Sequence, residues 1–169
     1  MAKRVRSKKK TTVNNNDNAA FKVISVNRRA YYEYEIMQNL EAGLVLTGTE
    51  IKSIRAGQMN IQHAFAKIER GEAWLIGSHI AQYSEGNIYN HDPLRPRKLL
   101  LHQKEIDYLS GSTSQKGLTL IPLRVYIKKH IAKIQVGIAR GRKLHDKRKV
   151  IIDREQEREI RRKMSERYQ

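Results

Sequence analysis

A mainly β domain with peripheral helices, an OB-like closed antiparallel β-barrel followed by a basic C-terminal tail, is the fold class this sequence predicts. Three observations point to it. Short apolar segments recur between turn signals: Glu41-Ala-Gly-Leu-Val-Leu-Thr, Ala64–Ile68, Ala73–Ile76, Leu118–Ile127 and Ile131–Ala139. Their connections are turns or one short helix, which suits a small antiparallel barrel rather than parallel crossovers. Finally, GIARGRKLHDKR at 137–148 turns a strand end into Arg140, Arg142, Lys143, Lys147 and Arg148, with one acid, Asp146, among them. Such a cluster cannot be buried, and it marks the handover from a structured domain to a basic arm.

Taken in order, residues 1–20 show no apolar periodicity and end in an Asn-rich patch, a composition that reads as a disordered basic leader. Phe21–Val26 is a short strand candidate. Asn27 is placed to cap a helix through NRRAYYEYEI. There Arg28, Arg29, Tyr31, Tyr32 and Tyr34 interleave cations with rings, which suits phosphates and exposed bases unless the tyrosines pack on the body. The strand from Glu41 is expected to end at Gly48. Thr47 and Glu50 have the spacing of a capping box, and the helix they open stops at Gly57. Ile51 and Ile54 share its apolar face, while Lys52 and Arg55 look elsewhere, toward water or RNA.

Ala64–Ile68 and Ala73–Ile76 form a hairpin across Glu69–Glu72, with Trp74 expected in the core. Residues 82–97 read as a loop that closes on Arg95, Arg97 and Lys98. Leu99, Ile106 and Leu109 fall on one face at helical spacing, with Gly111 ending the segment. The last two strands join tightly at Lys128-Lys129-His130, and Pro122 predicts an edge or a bulge in the first of them. The division expected is a leader at 1–26, a nucleic-acid-binding barrel at 27–139 and a tail at 140–169.

Charge sets the class of partner. Thirty-four Lys+Arg against seventeen Asp+Glu give +17, which favours nucleic acid first and an anionic membrane surface second. Residues 1–30 hold nine cations and one acid, 137–169 hold twelve against six, and the middle holds thirteen against ten, so a nearly neutral body carries two basic ends. The chain has no cysteine, hence no disulfide and no thiolate metal site. The N-terminus lacks the apolar core of a secretory signal and no apolar run reaches membrane-span length; a cytoplasmic protein without a membrane partner is expected.

Catalytic grammar is thin. Histidines at 63, 79, 91, 102, 130 and 145 make no HExxH pair, and no P-loop, GxGxxG or GxSxG is present. His145-Asp146-Lys147-Arg148 could be imagined as a general base with phosphate-binding cations, but no carboxylate cluster for Mg²⁺ accompanies it. No enzyme, cofactor or metal is expected. A ribosome-assembly or structural ribosomal protein and an RNA-processing enzyme are the competing classes to an RNA-binding adaptor.

EAGLVLTGTEIKSIRAGQMNI, RPRKLLLHQKEID and GIARGRKLHDKR, in this order and with these gaps, resemble the small protein B family, the SsrA-binding proteins of bacterial trans-translation. The likeness runs from about Asn27 to Met164. It implies an OB-like barrel and a tail that is unstructured alone and helical on the ribosome. It implies transfer-messenger RNA as partner, bound by the barrel at its tRNA-like end near the elbow. The second partner it implies is the ribosome, stalled on an mRNA without a stop codon, with the tail in the small-subunit decoding centre and the empty mRNA channel. Tagging of the nascent peptide for degradation and release of the ribosome would follow. Elongation factor Tu and alanyl-tRNA synthetase are implied indirectly, through the RNA, and the protein itself is expected to be a monomer.

Matched by motif, Asn27, Glu41 and Leu100 fall on family positions for the tRNA-like domain, with Arg28, Arg29, Tyr32, Lys52, Arg55 and Lys98 as adjacent candidates. Glu41 is the odd member, since a carboxylate repels phosphate. It can accept from base amino groups or ribose hydroxyls, orient a neighbouring Arg, or close a strand-end salt bridge. The ribosome-binding set is Arg140, Arg142, Lys143, His145, Asp146, Lys147, Arg148 and Met164, with His145 at the position that stacks on a decoding base. Arg140 and Arg142 stand where lysines are common, and Lys163 where an apolar residue often does. Residues 149–169 are rich in helix formers, with Glu157–Arg161 and Glu159–Lys163 at i,i+4, but their apolar stripe is sparse. Circular dichroism of the full chain and a tail-deleted form should therefore differ little in helicity; a strongly helical free tail would refute this.

Overall fold

Alternation of apolar and polar residues marks the strands of this chain, which share one core. The computed structural model describes residues 21–86, 90–114, 117–143, 155–156 and 162–164. The elements are β1 (Lys22–Val26), α1 (Arg28–Glu33), β2 (Tyr34–Leu44), α2 (Gly48–Arg55), β3 (Met59–Asn60), β4 (Phe65–Glu69), β5 (Glu72–Ile76), β6 (His79–Ile80), β7 (Arg97–Leu100), α3 (Gln103–Thr113), β8 (Leu118–Lys128) and β9 (Ile131–Gly141). The main sheet has the order β1-β8-β4-β5-β7-β2-β9, and β9 also pairs back on β8. Pairing in it is antiparallel throughout, and β3 and β6 make a small separate ladder. Inward residues of these strands, among them Leu75, Leu99, Leu120, Val125, Ile134 and Val136, make one core, onto which Ile54 of α2 and Leu109 of α3 close.

Local chemistry explains the turns. The β4–β5 hairpin turns on Arg70 and Gly71 at φ 50° and 73°, the double left-handed geometry that matches the twist of paired strands. The β8–β9 hairpin turns the same way on Lys129 and His130, at φ 50° and 66°, without any glycine. Pro122 cannot donate to a ladder, and the register of β8 against β9 slips between Pro122 and Arg124. Of the edge or bulge expected at Pro122, the structure has the bulge, on a strand paired on both sides.

Several boundaries differ from expectation. Residues 22–26, assigned to the leader in the three-part division, are β1, in register with 124–127 of β8. The first helix stops at Glu33, because Tyr34 to Ile36 are drawn into the ladder with β9. β2 accordingly begins seven residues before Glu41 and ends at Leu44 rather than Gly48. Leu99 is not on a helix with Ile106 and Leu109: it pairs with Leu44 and Ala73 in β7, and the Leu run obeys its neighbours rather than its helical period. Gly111 lies inside α3. Trp74 is half-buried on the outer face, in register with Lys67 and Lys98, while Ala73 and Leu75 take the core side. β9 continues to Gly141, past the expected body–tail boundary.

The buried polar residues concentrate around Glu50, whose side chain is fully buried. Its position three residues after the N-cap Thr47 completes the capping box, with Thr47 N–H donating to Oε2 at 2.8 Å. The same carboxylate accepts from Arg95 Nε at 2.8 Å and Arg97 Nε at 2.9 Å. Arg97, also fully buried, spends its remaining donors on Ser78 O and Oγ, Arg95 O and Pro93 O. His91 Nε2 donates to Ile80 O while its Nδ1 accepts from the Thr49 hydroxyl, tying the 81–96 loop to α2. Arg95 and Arg97, which looked like a basic end to a loop, are thus internal fasteners.

Burial alone would push the Glu50 carboxyl up, but the bonds from Arg95 and Thr47 and the charge of Arg97 outweigh it and hold the group below its usual value. A carboxyl lowered in the folded state stabilises at pH above its unfolded value and stops doing so as pH falls through the folded one. Glu50→Gln should cost about 3–5 kcal/mol by leaving Arg97 buried without its counter-ion. That corresponds to a drop of roughly 10–20 °C in Tm, and the acid limb of stability below about pH 4.5 should flatten in the variant. An unchanged Tm would mean that the cluster carries no net stability.

A candidate nucleic-acid interface

Because strand residues alternate between faces, each inward apolar residue of β2, β8 and β9 leaves an outward neighbour, and register decides which of these meet. Leu100, Gly43, Lys133, Tyr126 and Val23 follow one another across β7, β2, β9, β8 and β1. In the next row stand Glu41, Gln135, Arg124 and Val26. At a strand spacing of about 4.8 Å the first row spans roughly 19 Å.

Glu41 is held from both sides. Lys133 Nζ donates to its Oε1, and the Tyr126 hydroxyl donates to its Oε2. The bond from Lys133, then the bond from Tyr126, hold the carboxyl below its usual value against a smaller effect of burial. Burial first, and the Glu41 bond and charge second, push the Tyr126 phenol up to about 12. Of the roles open to Glu41 in the sequence, the salt bridge is therefore formed, across strands rather than at a strand end, and it fixes the Lys133 ammonium beside the buried Tyr126 phenol. Leu100 stays exposed beside Gly43, where an added Cβ would lie 3.2 Å from Leu100 Cβ. Glu41, Gly43, Leu100, His102, Glu105 and Lys133 line a shallow pocket of about 510 Å³. Lys98 lies on β7 two residues before Leu100, with its ammonium on Glu72.

Asn27 is not part of that surface. It is buried, and its side chain is consumed: Oδ1 accepts from Ala30 N–H at 3.0 Å, and Nδ2 donates to Ile61 O and Pro122 O at 3.3 and 3.1 Å. It is an N-cap that docks α1 onto the β8 bulge, and Arg28, Arg29 and Tyr32 depend on it for their position. Arg28 and Arg29 are exposed, Arg29 paired with Glu33 at 2.7 Å, and Tyr32 is half-buried.

These α1 residues lie beside the root of the tail. Tyr34 and Glu35 are in register with Gly141 and Arg140. The Arg142 N–H donates to Glu33 O at 2.9 Å, and its Nε donates to Tyr34 O at 3.1 Å. Arg140 and Lys143 are exposed at the same end. Seven residues of β2 separate this end from Glu41, about 23 Å of extended chain. The candidates assigned together from the sequence thus divide between the two ends of one strand pair. Lys52 and Arg55 form a third location on α2, the Lys52 ammonium 5.1 Å from the Tyr83 ring centre and Arg55 Nη2 donating to His130 O at 3.4 Å.

Met164 is exposed, with 155–156 and 162–164 helical, whereas His145, Asp146, Lys147 and Arg148 lie outside the described residues. Sequence reasoning missed Lys133, Tyr126 and Arg124. Their signal was present in period-two alternation, since each stands between core residues of its strand. Among the described residues no group of His, Asp and Glu is placed to hold a metal ion, and no helix is long and apolar enough to cross a membrane.

The family model described as SmpB protein matches residues 24–166. The SsrA-binding protein of Ligilactobacillus salivarius is 55% identical over 139 residues, covering 82% of this chain and 90% of its own length. That of Carboxydothermus hydrogenoformans is 50% identical over 147 residues, covering 87% and 99%. A chain in a solved structure described as "tmRNA-SmpB: a journey to the center of the bacterial ribosome" superposes with a TM-score of 0.61 at 48% identity, over 72% of this chain and 85% of that one.

The order of causes at Glu41 is testable by carboxyl ¹³C NMR. Lys133→Gln should raise the Glu41 titration toward 4.5 more than Tyr126→Phe does. A larger effect from Tyr126→Phe, or none from Lys133→Gln, would refute the bridge as described.

Proposed function

The chain belongs to the SmpB family, and from that premise we propose that it is a non-enzymatic, monomeric adaptor that binds transfer-messenger RNA and brings it to stalled ribosomes in the cytoplasm. The observation that carries this reading is the placement of two distinct polar surfaces at opposite ends of the β2–β9 pair. At one end Glu41, Lys133 and Leu100 combine a fixed ammonium, a phenol-supported carboxylate and an exposed apolar side chain. That mixture suits a folded RNA surface, with hydrogen bonds to ribose or base edges and apolar packing on an exposed base. This is the surface we assign to the tRNA-like domain, with Lys98 at its margin. The ring of ladders from β8 through β4, β5, β7, β2 and β9 back to β8 supports reading the scaffold that presents it as an OB-like closed barrel.

At the other end Arg140, Arg142 and Lys143 leave the sheet next to Arg28, Arg29 and Tyr32. Five cations stand here against two acids, Glu33 paired with Arg29 and Glu35 opposite Arg140, a balance that favours phosphate contact. We assign it to the ribosome, and it changes the expected role of Arg28 and Arg29, which had been grouped with the tRNA-like domain. Asn27 supports α1 from below and contacts no RNA. The tail beyond, with His145 to Arg148 and Met164, enters the decoding centre and the empty mRNA channel in this reading. Tagging and release follow from that occupancy, with elongation factor Tu and alanyl-tRNA synthetase engaged through the RNA.

Separable defects test the division. Truncation after Lys143 should leave the Kd for transfer-messenger RNA within about threefold while abolishing peptide tagging on ribosomes stalled in a reconstituted translation system. Arg28→Gln with Arg29→Gln should behave likewise, with tagging lowered at least tenfold and RNA affinity nearly kept. Loss of RNA binding in the truncated protein would overturn the two-surface assignment, and loss of it in the α1 variant would return Arg28 and Arg29 to the tRNA-like domain.

A further inference from the structure

The outer face that holds Glu41 does not end at β8. Arg124 stands in the same cross-strand row as Glu41, separated only by Gln135, so the two lie about 10 Å apart at ordinary strand spacing. Its guanidinium carbon is 5.5 Å from the Tyr126 ring centre and 5.8 Å from that of Phe21, and the two rings are themselves 4.8 Å apart. Phe21 precedes β1 and is exposed, and it reaches Tyr126 only because β1 is laid along β8.

The three groups form a triangle in which both rings support the cation through their negative faces. Tyr126 is in turn fixed by its bond to Glu41, so the guanidinium is coupled to the proposed RNA site through two contacts. Arg124 carries five N–H donors, yet none makes a hydrogen bond among the described residues, and its buried Nε has no partner at all. The carboxylates named on this face have partners: Glu41 takes Lys133 and Tyr126, Glu72 takes Lys98, and Glu105 accepts from the His102 N–H. A guanidinium set against two rings, with no anion beside it among the described residues and on the face assigned to RNA, keeps donors that the protein does not satisfy.

We propose that Arg124, supported by Phe21 and Tyr126, is a phosphate-recognition residue that extends the RNA face from Leu100 and Glu41 across β9 and β8 to β1. The acceptor is a backbone phosphate of the bound RNA, met by the two Nη groups, since Nε is buried and the rings of Phe21 and Tyr126 back the guanidinium. The aromatic bed makes the residue specific to arginine. A lysine would keep the charge but lose both the fork and the stacking. This inference rests on the assignment of the Glu41 face to transfer-messenger RNA.

The test uses the full chain and transfer-messenger RNA, with an unrelated structured RNA of equal length as control, in binding titrations across a series of salt concentrations. Arg124→Gln should weaken binding roughly tenfold and reduce the log–log salt slope by about one. Arg124→Lys should keep the slope and lose affinity several-fold, and Phe21→Leu should do the same through loss of the ring contact. An unchanged slope and affinity in Arg124→Gln, with Tm at the wild-type value, would overturn the proposal. Preference of the unmodified chain for the control RNA would instead overturn the partner assignment, while the slope difference between Arg124 and its Gln variant would still report whether the residue holds a phosphate. Circular dichroism melting of each variant separates loss of a contact from loss of fold, and the Lys variant, which keeps charge and stem, provides the reading if Gln fails to fold.

Discussion

The fold depends on one buried carboxylate. Glu50 caps α2, neutralises Arg97 and draws in Arg95, so a single side chain joins a helix start, a strand start and the loop between them. The desolvation of two ions is costly, and it is offset because each guanidinium nitrogen of Arg97 finds an acceptor. The consequence is positional. β7 begins at Arg97, and β7 bridges β5 and β2, so the cluster sets where Leu99 enters the core and where Leu100 emerges on the outer face. The outer face that we assign to RNA is thus registered by an ion pair buried away from it.

The outer faces show a second level of organisation. Charge in this chain totals +17, but excess charge by itself says only that polyanions are attracted. Discrimination requires groups held in place, and the sheet supplies them through cross-strand contacts. Lys133 is fixed by Glu41, Tyr126 by Glu41 and Phe21, and Arg142 by the carbonyls of Glu33 and Tyr34. Each pays its ordering entropy in the free protein, so less is lost on binding. Exposed cations such as Arg28 and Lys52 contribute attraction with less preorganisation, which suits steering and sequence-independent contact.

Legibility in the sequence followed locality. The Thr47–Glu50 capping box, the hairpin at Arg70-Gly71, the Pro122 bulge and the alternation of Ile134, Val136 and Ile138 are local patterns, and each was read correctly. Leu99, Trp74 and the start of β2 were misread because pairing partners far along the chain decided them. The site divided in the same way. Glu41 and Leu100 were reached through resemblance, whereas the Lys133–Glu41–Tyr126 arrangement requires knowing which strands are neighbours. Asn27, reached through a motif position, makes three hydrogen bonds inside the protein that no local pattern announced beyond the cap. Buried Arg97 was legible only as charge, because no local pattern separates a fastening arginine from a binding one.

β9 carries Lys133 at one end and hands over to the tail at the other, with every residue from 131 to 140 locked in register to β8. It therefore acts as a ruler as well as a wall of the core. Insertion of one residue would turn Lys133 and Gln135 inward, and insertion of two would keep the faces but move the tail root by about 7 Å. The distance from the Glu41–Lys133 contact to the root of the tail is thus fixed by the strand pair itself, whatever the length of the segments outside it.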